Sequence, residues 1–254
     1  MLNSLLFNLS PAIFLAFAAG MIGVFALMRR MSLAADAISH IALPGLGLAF
    51  LYKIDPLIGG AATLLVGAFL IWKIEGKTNI PTETIIGVIF SLSLALGSLI
   101  TPQEDLIEAL FGGIGSFSML SFAITTLITL GIIAAILALK NKFILQMISP
   151  DLASVTGLKS NRLNLYFLLL FALTVILGLR FLGTLLMGAL IIIPAAVAKN
   201  WSWNISSMLI VSSIIGALSV IAGFAIGDYF NMNIGPTIIV FAGILFFASL
   251  FFKR

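Results

Sequence analysis

Asp36 and His40 lie four residues apart in the run Arg29-Arg30-Met31-Ser32-Leu33-Ala34-Ala35-Asp36-Ala37-Ile38-Ser39-His40-Ile41-Ala42-Leu43-Pro44-Gly45. On a helix that spacing puts both side chains on one face. A carboxylate and an imidazole there can hold a divalent cation, provided neighbouring helices add ligands. His40 is the chain's only histidine, and there is no cysteine, so thiolate sites and disulfides are excluded. Ionisable groups at membrane depth are costly, and by default they signal function. The chemistry expected is passage of a metal ion; the structural alternative is an ion pair or hydrogen bond locking two helices. No nucleophile and base accompany the pair, so covalent catalysis is not expected. Two ligands per chain hold an ion weakly, which suits a path the ion must also leave.

The elements that must carry this pair are membrane helices. Apolar residues make up 61% of the 254 and charged residues 9%, against about a quarter charged in a soluble domain. Nine stretches are long enough to cross a bilayer, near 9–28, 35–52, 57–73, 82–101, 117–139, 163–180, 183–198, 205–226 and 235–252. The fold class expected is therefore an all-α integral membrane bundle of eight or nine spans, forming one domain over residues 1–254. The shorter count treats one segment as re-entrant, since only Arg180, Phe181 and Leu182 separate the sixth stretch from the seventh. Nine crossings with the N-terminus outside leave only Lys53 and Arg180, of 13 Lys and Arg residues, on the outer side. That asymmetry is the positive-inside pattern. Cations placed singly or in pairs between spans are topological and form no nucleic-acid patch. No basic leader with a cleavage site is read at the N-terminus.

This orientation sets depths. His40 follows Arg30 by ten residues, roughly 15 Å into the membrane at the helical rise. Pro44 cannot donate to the His40 carbonyl, so a kink is expected just beyond the pair, with a freed oxygen near it. Small residues at Ala16, Ala19, Gly20, Gly23, Gly45, Gly47, Gly59, Gly60 and Gly67 predict close backbone packing among the first three spans. The longest basic loop, about 140–162, carries a short-helix signature. Ser149 suits the N-cap, Pro150 the first helical position, Asp151 the positive dipole end, and Gly157 the stop. A helix of about two turns is expected there. Asp228 at the end of the eighth stretch, and Glu104, Asp105 and Glu108 after Pro102, are candidates for an outer metal or docking site, or are simply solvated. Glu83 is expected to cap the fourth span, and Trp201 and Trp203 to anchor at the interface. The Gly112-Gly113-Ile114-Gly115 run follows no strand and reads as a turn.

Four stretches in register resemble the metal-ion ABC transporter permeases, the membrane subunits of bacterial zinc and manganese importers. They are Arg29 to Ser32 with Asp36 to His40 and Leu43-Pro44-Gly45; Met147 to Ala153 with Gly157; Phe181-Leu182-Gly183 through Ile193-Pro194-Ala195-Ala196; and Gly235-Pro236-Thr237. The resemblance covers essentially the whole chain. It implies a homodimeric permease in a bacterial cytoplasmic membrane, working with an ATPase subunit and an extracytoplasmic metal-binding protein. It also implies that Asp36 and His40 handle the metal and that Ser149, Pro150, Asp151, Leu152, Ala153 and Gly157 form the ATPase-coupling segment. The cargo implied is Zn²⁺ or Mn²⁺, with zinc slightly preferred, and no cofactor stays bound. Ala35 departs from the glycine that many relatives carry before the aspartate. The chain has no phosphate loop, so ATP is expected on the partner and this chain is not expected to be an enzyme. A secondary transporter or channel, or a membrane enzyme, remain the other classes. Only an ATPase-driven permease needs the coupling segment.

Overall fold

The computed structural model describes residues 2–101 and 119–251, all helix and short connections. The helices are α1 (Leu2–Met28), α2 (Ser32–His40), α3 (Leu43–Tyr52), α4 (Pro56–Glu75), α5 (Thr82–Ile100), α6 (Met119–Ile148), α7 (Pro150–Val155), α8 (Ser160–Trp201), α9 (Ile205–Phe230) and α10 (Ile234–Phe251). Nine segments among them are long and apolar enough to cross a membrane. α2 and α3 together make one span, and α8 divides into arms Ser160–Leu179 and Leu182–Trp201. Glu104, Asp105, Glu108 and the Gly112–Gly115 run lie outside the described residues.

The chain reverses between the two arms of α8. Gly183 has φ 68° and ψ −176°, a region open essentially to glycine alone. A β-carbon at Gly178 would overlap the Met187 thioether. Nine residues along a continuous helix would hold these groups about 13 Å apart, so the arms fold back as a hairpin. The expected boundary between the sixth and seventh stretches is therefore a real turn, made by one residue without a side chain.

Small residues let backbones touch, as expected, between the second and third spans, but those of α1 meet other partners. Gly45 and Gly59 face each other directly, joining α3 to α4. Gly20 lies against the Ser212 backbone of α9, and Gly23 against the Ile191 carbonyl of α8. Ser212 Oγ donates to the Gly20 carbonyl at 2.8 Å and Ser213 Oγ to that of Phe17 at 3.1 Å. α1 is thus packed chiefly on α8 and α9 rather than bundled with the next two spans. In lipid such packing and interhelical bonds replace the hydrophobic drive, and the complementary small faces lie on α8 and α9.

α6 outruns its expected end near 139 and continues to Ile148. Lys140, Asn141 and Lys142 end the apolar stretch but not the helix, because Phe143 beyond them is fully buried. Its ring packs on Phe25 and Phe167, with centroids 5.3 and 6.1 Å away. The α1–α2 turn is closed by Arg30, a non-glycine at φ 62°. Met31 N donates to Ala26 O at 2.9 Å and Arg30 N to Leu27 O at 3.1 Å, the paired bonds of a Schellman end.

Gly183→Ala is expected to cost about 1–3 kcal/mol and to lower the thermal unfolding midpoint of the detergent-solubilised chain. Gly131→Ala on α6, where an added methyl meets open space, should leave it unchanged or raise it, by up to about 1 kcal/mol. Equal midpoints for the two variants would show that the α8 turn does not depend on glycine.

Candidate functional site

The span carrying Asp36 and His40 is broken just after them. Pro44 has no N–H, so the His40 carbonyl receives no donor from the next turn. The helix opens at Ile41 and Ala42, whose N–H groups reach Ile38 and Ser39 carbonyls at 3.1 and 3.3 Å. α3 then restarts with Pro44 in its first turn. The expected kink is present as a break between two short helices.

The two side chains share a face but not an environment. His40 is 6% exposed, whereas Asp36 is exposed, as is Leu33 one turn earlier at 86%. His40 Nδ1 is 2.9 Å from the Asp36 main-chain carbonyl. A carbonyl only accepts, so Nδ1 carries the proton, and in the neutral ring Nε2 keeps its lone pair. That is the form in which imidazole ligates a metal, its orientation set by the other nitrogen's bond. Phe90 of α5 packs edge-on against the ring at 5.5 Å. The Asp36 carboxylate makes no hydrogen bond or ion pair among the described residues, and no three His, Asp or Glu side chains there converge to hold a metal.

The backbone under this pair is fixed by the second arm of α8. Gly188 meets Asp36 so closely that a β-carbon would come 2.5 Å from the Asp36 Cα. Fully buried Ser39 places Oγ 2.6 Å from both the Asp36 and Thr184 carbonyls, between which its single proton is shared. The late span is therefore the wall that positions the acid and the histidine.

On the face bearing most of the Lys and Arg, α7 forms as the local signature predicts. Ser149 Oγ accepts from Leu152 N at 3.3 Å, Asp151 sits in the first turn, and Gly157 closes the helix at φ 76°. Leu158 N and Gly157 N donate to the Ala153 and Ser154 carbonyls at 3.0 Å each. The helix has six residues, slightly short of two turns. Ala153 is fully buried and anchors it, while Ile148, Leu152 and Val155 are 74%, 57% and 84% exposed. Asp228 is exposed at the far end of α9, beside the left-handed Asn231. Glu83 sits in the first turn of α5 without a capping bond; the Thr82 hydroxyl instead donates to Glu75 Oε1 at 2.7 Å.

Sequence reading missed a polar cluster behind α7. Arg29 donates through Nη1 to Asn164 Oδ1 at 2.9 Å and through Nη2 to Gln146 Oε1 at 3.0 Å. Its guanidinium stacks 4.3 Å from the centre of the Phe167 ring. Burial pushes its pKa down to about 10, which the Glu75 charge opposes; it remains a cation at neutral pH. A glutamine and an asparagine at the ends of otherwise apolar helices were the available signal.

Ser39→Ala is expected to cost about 1 kcal/mol, the net worth of a buried hydrogen bond, read as a lowered thermal midpoint in detergent. An unchanged midpoint would show that the hydroxyl does not tie α2 to α8.

Comparison with known proteins places this arrangement. The family model described as the ABC 3 transport family matches residues 1–253. The chain is 33% identical over 247 residues to the manganese import system permease protein ScaB of Streptococcus gordonii, spanning 96% of this chain and 89% of that protein. It is 30% identical over 241 residues to the high-affinity zinc uptake system membrane protein ZnuB of Haemophilus influenzae, spanning 91% and 90%. The solved structure of PsaBC from Streptococcus pneumoniae in complex with Fab superposes with a TM-score of 0.84 at 32% identity, over 97% of this chain and 91% of that one. With a family model matching residues 1–253, a shared fold and relatives aligned along almost its whole length, this chain belongs to the ABC 3 transport family.

Proposed function

We propose that this chain is the membrane permease of an ATP-driven importer of divalent manganese or zinc, one transmembrane domain per subunit. The observation that carries the reading is the exposed Asp36 carboxylate beside the buried His40, at membrane depth and at a helix break. A carboxylate facing lipid is costly. A second copy of the chain covering this lateral face removes that cost and brings a second Asp36 and His40 to the same path, with cargo bound between subunits. The chain's own donors there are a carboxylate, an imidazole nitrogen and freed main-chain oxygen, a set that suits either ion. Relatives named for manganese stand at 31–33% identity and those named for zinc at 29–30%. The zinc preference read from the sequence is thus carried forward as one of two cargoes.

Energy enters at α7. A short helix with one buried alanine and an exposed apolar ridge of Ile148, Leu152 and Val155 has the form of a projection that docks on a separate ATPase subunit. ATP is bound and hydrolysed there. Eleven of the 13 basic residues then lie on the cytoplasmic side of a bacterial inner membrane, with the N-terminus outside. Asp228 lies on the outer face, where a metal-binding protein would deliver the ion. Family membership and the α7 projection favour this reading over a secondary transporter or channel.

Uptake of radioactive manganese and zinc, each competed by the other, tests the proposal in cells lacking their own importers and supplied with the partner subunits. His40→Ala and Asp36→Asn, at matched membrane abundance, should each lower uptake roughly ten- to hundred-fold, the scale of lost metal-site contacts. Normal uptake by both would move the metal path elsewhere. Leu152→Asp should abolish ATP-dependent uptake with the chain still in the membrane; full uptake would show that α7 is not the docking projection.

A further inference from the structure

The cluster around Arg29 is placed between the two ends of the proposed machine. Gln146 lies three residues before the Ser149 cap of α7. Its Nε2 donates to the Ser160 carbonyl at 3.1 Å and to Asn164 Oδ1 at 2.9 Å. Ser160 lies three residues after Gly157, so one glutamine bonds across both the entry and the exit of the α7 segment. Arg29 grips Gln146 and Asn164 with the two prongs of its guanidinium. Asn164 Nδ2 continues to Glu75 Oε1 at 3.2 Å, and Thr82 to the same oxygen. Four helices, α4, α5, α6 and α8, are thereby joined to the turn that follows α1.

Arg29 also stands at the root of α2. After it come only Arg30, held at φ 62°, and Met31 before α2 begins. Asp36 and His40 follow within seven and eleven residues of Arg29 on that same helix. A cavity of about 510 Å³, lined by Arg29, Arg30, Glu75, Glu83, Gln146 and Asn164 among others, opens on one flank of the cluster. Arg29 and its bonded partners Gln146, Asn164 and Glu75 therefore border a void on that flank instead of a close-packed core, where a shift would meet resistance.

We propose that Arg29 is a positioning residue that transmits displacement of the α7 segment to α2, and so to Asp36 and His40. The proposal rests on the importer reading above. Its chemistry explains the residue type. Two acceptors on different helices and a phenyl face are met together by a planar fork, which lysine cannot reproduce.

The test uses the whole complex, permease with its ATPase subunit and the extracytoplasmic metal-binding protein, in proteoliposomes, with ATP hydrolysis and manganese or zinc uptake measured together. Arg29→Lys keeps the charge but loses the fork and the stacking. Gln146→Leu keeps Arg29 on its phenyl faces but cuts the link to the α7 segment. Each should lower ions moved per ATP by roughly ten-fold, within the range for coupling between sites, while hydrolysis stays within about two-fold of wild type. Asp36→Asn, which leaves the link intact, controls for loss of the path itself. Unchanged ions per ATP in both variants would overturn the proposal. So would a parallel loss of hydrolysis and uptake, which marks a residue needed only for folding or docking. Absence of ATP-dependent uptake in wild-type vesicles would overturn the importer reading, and this inference with it.

Discussion

In hydrocarbon, leucine gains nothing by leaving lipid for another leucine, so helices associate where their backbones can approach and their polar groups can bond. This constraint organises the molecule. Gly45 on Gly59, Gly20 on Ser212, Gly23 on Ile191 and Gly188 on Asp36 are contacts between main chains. Serine hydroxyls at 39, 212 and 213 then donate to carbonyls of neighbouring helices. Helix α2 is held in the same way. Its backbone lies on Gly188, and its buried serine reaches Thr184, so the acid and the histidine are placed from behind by the late hairpin.

The break after His40 would be expensive facing lipid, because hydrocarbon offers no partner for a freed carbonyl. Here Leu43, Pro44, Gly45, Leu46 and Gly47 are buried in protein. Irregular backbone is tolerated where neighbours cover it, and it leaves the His40 carbonyl without the donor that an unbroken helix would supply. His40 Nδ1 donates to the carbonyl one turn earlier, so the same local geometry that orients the ring leaves the lone pair of the neutral ring on Nε2.

Two surfaces of the single chain stay uncovered, and they differ in chemistry. The lateral face with Asp36 and Leu33 is polar at a depth where lipid disfavours charge. The α7 ridge is apolar at a position where water does. Between them lies the Arg29 cluster, whose side-chain hydrogen bonds join Gln146, Asn164, Glu75 and Thr82. Its stacking on Phe143 and Phe167 explains why α6 continues two turns beyond its membrane stretch.

Much of this was readable along the chain because it depends on neighbours in sequence. Nine spans follow from runs of apolar residues longer than a bilayer is thick, the break from Pro44, and α7 from Ser149, Pro150 and Gly157. These features are decided within one or two turns. Helical spacing likewise put Asp36 and His40 on one face. Whether that face is covered was not readable, since Phe90 and Gly188 come from helices 50 and 152 residues away from His40 and Asp36. The same holds for the partners of α1, for the reach of α6 past Lys142, and for Arg29, whose acceptors lie 117 and 135 residues on. Local composition settles which segments enter the membrane, because each residue meets its solvent independently. Only the packed bundle settles which of them touch, because close approach requires two surfaces to be complementary at once.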